Sequence, residues 1–264
     1  MPDLARLPAA YITHGGGPCF FMDWDPIDAW DALRAALEGI GPSLSFTPKA
    51  IVVVTAHWEA PVFTVESGIA PELIYDYGGF PPHTYHLTYA APGSPDVAAR
   101  VAACMEAAGI AHRVDPHHGW DHGVFIPLKV MYPDANIPIV AVSVRADLDA
   151  LAHLELGRAL AALRDEGVFI VGSGSSFHHF GNFGREDLAV PFDHWLNEAV
   201  SLPADARWDA LVHWERAPFA RQAHAREEHL VPLMVAAGAA DDVPARSVFH
   251  GQIMNTTASC WLFD

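Results

Sequence analysis

The 264-residue chain carries 15 basic and 32 acidic residues, a formal net charge of −17 with histidine neutral. That balance, with no basic cluster, argues against nucleic acid or an anionic membrane surface as a partner. Hydrophobic residues make up 51% and charged residues 18%, which is ample for one large α/β domain over residues 1–264. Cys19, Cys104 and Cys260 are odd in number and widely spaced, so they form neither a zinc ribbon nor a disulfide framework, and a reducing compartment is expected. Residues 1–8 carry no charged-then-apolar leader, and no apolar run is long enough to span a membrane. The expectation is a soluble cytoplasmic protein whose oligomeric state the sequence leaves open.

In chain order, a short apolar run from Ala9 ends in His14 and is followed by Gly15-Gly16-Gly17-Pro18. Adjacent glycines bring backbone close to a ligand, but no Gly-Lys-Ser/Thr follows to make a phosphate loop. Asp25-Pro26 reads as a helix start, with helical periodicity over 27–37 and an end at Gly39. Residues 50–57 form a continuous β-branched run that stops on His57. That pattern suits a strand buried on both faces of a parallel sheet. Residues 62–66 read as another strand, and 74–92 as a long aromatic loop of the kind that forms a lid or pocket wall.

Ser94-Pro95 caps a helix to about Ala108. A short strand near Ala111 precedes His117-His118-Gly119-Trp120-Asp121-His122, and a helix covers 124–131. A buried strand over 137–144, a helix from Asp147 to about Gly167 and a strand over 168–174 follow. The last leads through Ser175-Ser176-Phe177 to His178-His179. Helices are expected over 187–202, 206–214 and 226–237, the last amphipathic with His229 in its first turns, and a final strand over 247–254. This alternation predicts an α/β fold, a single domain with a mainly parallel or mixed central sheet and helices on both faces.

Three strands therefore carry histidines toward one sheet edge, where open α/β sheets bind ligands. The chain holds 16 histidines, and histidine is the commonest metal ligand and acid–base group. His14 and His57 are either metal ligands or hydrogen-bonded strand-end residues. His178 suits proton transfer as well as ligation. His229, after Glu227-Glu228, reads alone as a surface residue, and His122 beside Asp121 as an orienting pair or a helix cap. His117, His118, His179 and His224 are the neighbouring alternatives.

Seven motifs in order carry a resemblance: His14-Gly-Gly-Gly-Pro18, Thr55-Ala-His57-Trp-Glu59, Tyr77-Gly-Gly-Phe80-Pro, Ala91-Pro-Gly-Ser-Pro95, Trp120-Asp-His122-Gly, Gly172-Ser-Gly-Ser-Ser-Phe-His178 and Glu228-His229-Leu-Val-Pro232. The chain resembles the class III extradiol ring-cleavage dioxygenases, within them the 4,5-DOPA dioxygenase-like subgroup. The resemblance implies a mononuclear non-haem Fe(II) site with His14, His57 and His229 as ligands, His178 as acid–base, and His122 assisting it or binding substrate. It implies a catechol substrate cleaved outside its two hydroxyls with incorporation of O2. Many relatives in the wider superfamily use two histidines and a carboxylate. Three neutral imidazoles leave the site at +2 instead of +1, which favours an ionised catecholate and also suits Zn(II).

From adjacency, Glu59 is expected to orient His57. Tyr77, Phe80 and His83 are expected to wall the substrate pocket. Arg145, Lys129 and Arg185 are the available partners for a substrate carboxylate. A zinc hydrolase with the same three histidines, and a non-enzymatic interaction protein on the same fold, are the rival readings. The second has no need of an acid–base pair.

Overall fold

The computed structural model describes residues 6–264; the first part of the leaderless start expected over residues 1–8 lies outside the described residues. Eight strands form one sheet: β1 (Ala9–Thr13), β2 (Ala50–Ala60), β3 (Phe63–Glu66), β4 (His112–Asp115), β5 (Ile139–Arg145), β6 (Val168–Gly174), β7 (Arg246–Ile253) and β8 (Thr256–Phe263). Their order is β4-β3-β5-β2-β6-β1-β8-β7. The β5-β2-β6-β1 centre is parallel, as is the β3-β4 pair, while β3-β5, β1-β8 and β8-β7 are antiparallel. The helices are α1 (Asp31–Ser43), α2 (Pro95–Ala107), α3 (His122–Met131), α4 (Ala150–Leu160), α5 (Glu186–Ser201), α6 (Ala204–Val212), α7 (Ala220–Ala223) and α8 (Val231–Gly238).

The β-branched run of β2 serves two cores at once. Val52 and Val54 join the cluster under α2, α4, α5 and α8, whereas Ile51 and Val53 join the cluster under α1 and α3. Side chains alternate across a strand, so a strand covered on both faces must be apolar at every position. This fixes β2 at the sheet centre and brings its carboxyl end into register with its neighbours. Thr55 pairs with Ser173 of β6, and Thr13 of β1 with Gly174.

Several elements differ from expectation. β2 does not stop on His57 but runs to Ala60, with its pairing to β5 irregular between Thr55 and Glu59. Helix α1 starts at Asp31, not near Asp25, and passes through Gly39 to Ser43. Trp30 packs against Phe20 and Trp24, while Ile27 is 82% exposed, so the first apolar residues of the pattern belong to no buried helical stripe. The buried stripe is Leu33, Leu37 and Ile40. At the C-terminus the expected last strand is half of a hairpin. Met254 and Asn255, both at positive φ, make the two-residue turn into β8, whose eight residues are all buried. Having no alternation, β8 leaves no amphipathic signal.

The expected amphipathic helix over 226–237 is instead a turn followed by α8, which is buried on every side. The reason lies in β6. A Cβ on Gly172 would stand 2.1 Å from the Pro232 carbonyl oxygen, and one on Gly174 2.0 Å from that of His229. These glycines let the backbone over 229–232 lie directly on the strand. The Ser175 amide and the Tyr11 hydroxyl both donate to the His229 carbonyl, at 3.2 and 2.8 Å. His229 is thereby fixed to the same sheet edge as His14. The Gly-Ser-Gly-Ser-Ser stretch is accordingly held in place: Gly172–Gly174 are buried strand, as expected, and Ser175 and Ser176 are buried beyond it.

Candidate active site

His14, His57, His122, His178 and His229 all line one cavity of about 600 Å³ at this edge. Nε2 of His57 lies 3.2 Å from Nε2 of His14 and 3.2 Å from Nε2 of His229. The other ring nitrogen of each faces an oxygen of its own. His14 Nδ1 is 2.9 Å from Ser173 Oγ, and that hydroxyl spends its hydrogen on the Gly123 carbonyl at 2.5 Å, so Nδ1–H donates to Ser173. His229 Nδ1 lies 3.0 Å from Glu228 Oε1, and His57 Nδ1 3.4 Å from Asp76 Oδ2. A carboxylate oxygen only accepts, so His229 Nδ1 carries hydrogen, while the contact of His57 Nδ1 with Asp76 is a longer charge–dipole approach.

Three Nε2 atoms therefore converge, and those of His14 and His229 point bare lone pairs at the centre. Such an arrangement is repulsive unless a cation sits among them, and neutral imidazoles are good donors to Fe(II) or Zn(II). Electrostatics agree. Burial first, then the neighbouring imidazoles, hold His14 and His57 well below the ordinary histidine range. Burial likewise lowers His229 to about 4, against the opposing hydrogen bond to Glu228. All three are neutral at pH 7 and need release no proton to bind a cation. The residues fit a bound divalent metal.

His178 Nδ1 lies 3.2 Å from the same Glu228 oxygen that holds His229, with the two rings stacked at 3.4 Å between centroids. His122 Nδ1 lies 2.9 Å from Asp76 Oδ1, and its backbone amide donates to that oxygen at 2.9 Å. Asp121 accepts from Thr55 at 2.8 Å and does not orient the neighbouring His122 ring. Burial would push the Glu228 carboxyl up, but hydrogen bonds from His178 and His229 outweigh it and hold it well below the usual carboxylate range.

Glu59 does not orient His57: its carboxylate pairs with Arg226, and Asp76 faces the His57 ring instead. His83 is not part of the cavity wall. It bonds the Phe21 carbonyl at 3.0 Å, while Tyr77 and Phe80 do line the cavity. Among the neighbouring alternatives, His118 stacks on Trp58 at 3.7 Å and His224 bonds the Ser176 carbonyl; neither lines the cavity, nor do His117 and His179. Arg145 and Arg185 bond Asp147 and Asp187, and Lys129 the Thr88 carbonyl. The rest of the wall is mainly apolar, with Trp24, Trp30, Phe183 and Ile253, and with the exposed Phe180 and Met254 at its outer end. Asp76, Ser173 and Glu228 are the functional residues that sequence reasoning misses. The local signals are faint: a lone acid between two tyrosines, a serine between two glycines, and an acid read as a solvated helix start.

The cluster of imidazoles at the carboxyl edge of the mixed α/β sheet could hold a metal ion. The family model for the catalytic LigB subunit of aromatic ring-opening dioxygenase matches residues 8–259. The 4,5-DOPA dioxygenase extradiol of Beta vulgaris is 39% identical over 247 residues, covering 91% of this chain and 89% of its own. The dioxygenase tasH of Hapsidospora irregularis is 39% identical over 256 residues, 89% of this chain and 78% of its own. A crystal structure of an uncharacterized Escherichia coli K12 protein superposes with a TM-score of 0.79 at 28% identity, covering 97% of this chain and 99% of its own. The chain belongs to the LigB family of class III extradiol dioxygenases and is an enzyme of that family. Among the described residues, no helix is long and apolar enough to cross a membrane.

Proposed function

We propose that this enzyme opens the ring of a catechol-type aromatic with O2, using Fe(II) held by His14, His57 and His229. The observation that carries the reading is the convergence of three Nε2 atoms, with His14 and His229 fixed in their tautomers by Ser173 and Glu228 and His57 backed by Asp76. Bound Fe(II) supplies the one-electron chemistry that lets an aromatic diol react with dioxygen. The chain supplies the rest. Three neutral donors leave the full metal charge uncompensated, which favours an ionised catechol over a neutral one. Trp24, Tyr77 and Phe80 offer flat apolar walls to an aromatic ring and exclude water from it. His178 and His122, with Nδ1 directed at carboxylates, keep Nε2 free to take or return a proton. His122 also stands close enough to His57, 3.9 Å between centroids, to meet a substrate bound beside that ring.

The test is anaerobic reconstitution with Fe(II), then a panel of catechols scored for oxygen uptake and a yellow ring-opened product. The relatives named 4,5-DOPA dioxygenase extradiol put 3,4-dihydroxyphenylalanine on the panel. Oxygen uptake with Fe(II) and none with Zn(II) is expected. Zn(II)-dependent ester or amide hydrolysis without oxygen uptake would replace this reading with a zinc hydrolase.

A further inference from the structure

Two carboxylates each face a pair of the site's imidazoles. Asp76 faces His57 with Oδ2 and His122 with Oδ1. Glu228 faces His229 and His178, both through Oε1. We propose that Asp76 and Glu228 are positioning residues, each tying one imidazole that holds the metal to one imidazole that moves a proton. The proposal rests on the roles assigned above to the five histidines.

Both acids are placed by tertiary structure and not by chance proximity. Asp76 lies on the loop between β3 and α2. Paired backbone bonds pin that loop: the Ile74 amide to the Trp120 carbonyl and the Trp120 amide to the Glu72 carbonyl, each 2.8 Å. This clamps Asp76 two residues from a segment that itself leads into His122. Glu228 lies in the turn that the β6 glycines hold against the sheet. Its Oε2 is buried without a hydrogen-bond partner, 3.9 Å from the Arg226 guanidinium. A buried, singly used carboxylate is costly to keep, and its used oxygen is spent entirely on the two rings.

The chemistry follows from the tautomers. A catechol has two hydroxyl protons, and the site holds two carboxylate–imidazole pairs. In each, an O–H bond breaks and an Nε2–H bond forms. The electron pair stays on the substrate oxygen, and Nδ1–H remains donated to the carboxylate. The anion behind the ring offsets the positive charge that the ring acquires, as in other carboxylate–histidine pairs. Asp76–His122 and Glu228–His178 thus provide one proton acceptor for each hydroxyl.

The two acids should respond differently to neutral isosteres. In Glu228→Gln a single amide oxygen still accepts from both rings, so metal content stays at the wild-type level while the compensating charge is lost. Turnover with Fe(II) should fall about 10–10²-fold with KM nearly unchanged. In Asp76→Asn one of two needed acceptors becomes an NH2 donor facing an N–H. Both metal affinity and turnover should therefore fall, each about 10–10²-fold, and Asp76→Glu should recover part of the loss.

The readout that a structural role would not move is the ultraviolet spectrum of catechol bound anaerobically to Zn(II)-loaded protein. It reports how far the diol is ionised, and both neutral variants should shift it toward the less ionised form. Wild-type turnover and an unchanged spectrum in both variants would overturn the proposal, as would a Glu228→Gln protein that loses metal outright. Should the wild-type enzyme consume no oxygen with any catechol, the ring-cleavage reading fails. The spectrum and metal content of the Zn(II)-loaded variants still judge the pairing, and an unshifted spectrum there sinks it.

Discussion

At the floor of the cavity His14 is 1% exposed and hangs directly off β1; at the mouth Phe180 is 82% exposed and Met254 46%. The floor is built from strand ends held by backbone bonds, such as the His14 amide to the Gly174 carbonyl at 2.9 Å. The mouth is built from the tip of the aromatic loop at 78–80, the turn over 179–184 and the β7-β8 hairpin turn. The difference assigns separate duties. A metal needs donors fixed to a fraction of an ångström, which packed strands provide. A substrate must enter and leave, which exposed loops allow. Changes at the floor should cost metal, and changes at the mouth should cost only substrate affinity.

The largest expected effect lies at the floor. His14→Ala, His57→Ala and His229→Ala should each remove bound iron or zinc from a folded protein. Elemental analysis beside a circular dichroism spectrum tests this. Full metal occupancy in His229→Ala would mean that the third donor is another residue, and Glu228 would be the first to examine.

Next come the imidazoles between floor and mouth. His178→Ala should keep its metal and still bind catechol, yet lose roughly 10²–10⁴-fold in turnover. His122→Ala should lose less turnover and show a raised KM, since in its proposed role it also meets substrate. A metal-free His178→Ala protein would move His178 to the floor as a fourth donor and leave the proton work to His122.

The same division governs what could be read in the sequence. The floor was legible because its signals are local. The buried run of β2 and the apolar run of β1 each lead to a histidine, and parallel strands share a carboxyl edge. Register did the rest, setting Thr13 beside Gly174 and Thr55 beside Ser173. What was not legible depends on partners far along the chain. His14 and Ser173 are 159 residues apart, and nothing in Gly-Ser-Gly announces an imidazole acceptor. Gly172 and Gly174 fall inside an expected strand, where glycine marks either a bulge or a close backbone approach, and only the backbone over 229–232 decides between them. Glu228 beside His229 reads as a solvated helix start, because burial reverses the meaning of a charged pair. The motif resemblance supplied His229, which local pattern alone would place on the surface.

Ser173 sharpens the comparison from the floor's outer layer. Ser173→Ala leaves the His14 Nδ1–H and the Gly123 carbonyl without their shared partner in a buried site. The cost to stability should be about 1–3 kcal/mol, and metal affinity should fall about 10–10²-fold as the His14 ring loses its fixed tautomer. Denaturant titration of the metal-free protein and competitive zinc titration separate the two. Unchanged zinc affinity would show that packing alone orients His14.

The smallest effect is expected at the mouth. Phe180 touches the site only from outside, with its ring 5.0 Å from that of His178 and 6.0 Å from that of Phe183. Because it is largely exposed, Phe180→Ala should change stability by no more than about 0.5 kcal/mol and leave metal content unaltered. Its loss removes apolar wall from the path of the substrate's ring substituent, so KM for a substituted catechol should rise a few-fold while kcat stays near wild type. Steady-state kinetics on catechol and on a 4-alkylcatechol make the comparison internal, with the larger KM change expected for the alkylated ring. A fall in kcat at constant KM would place Phe180 in the positioning of His178, and the line between floor and mouth would have to be drawn further out.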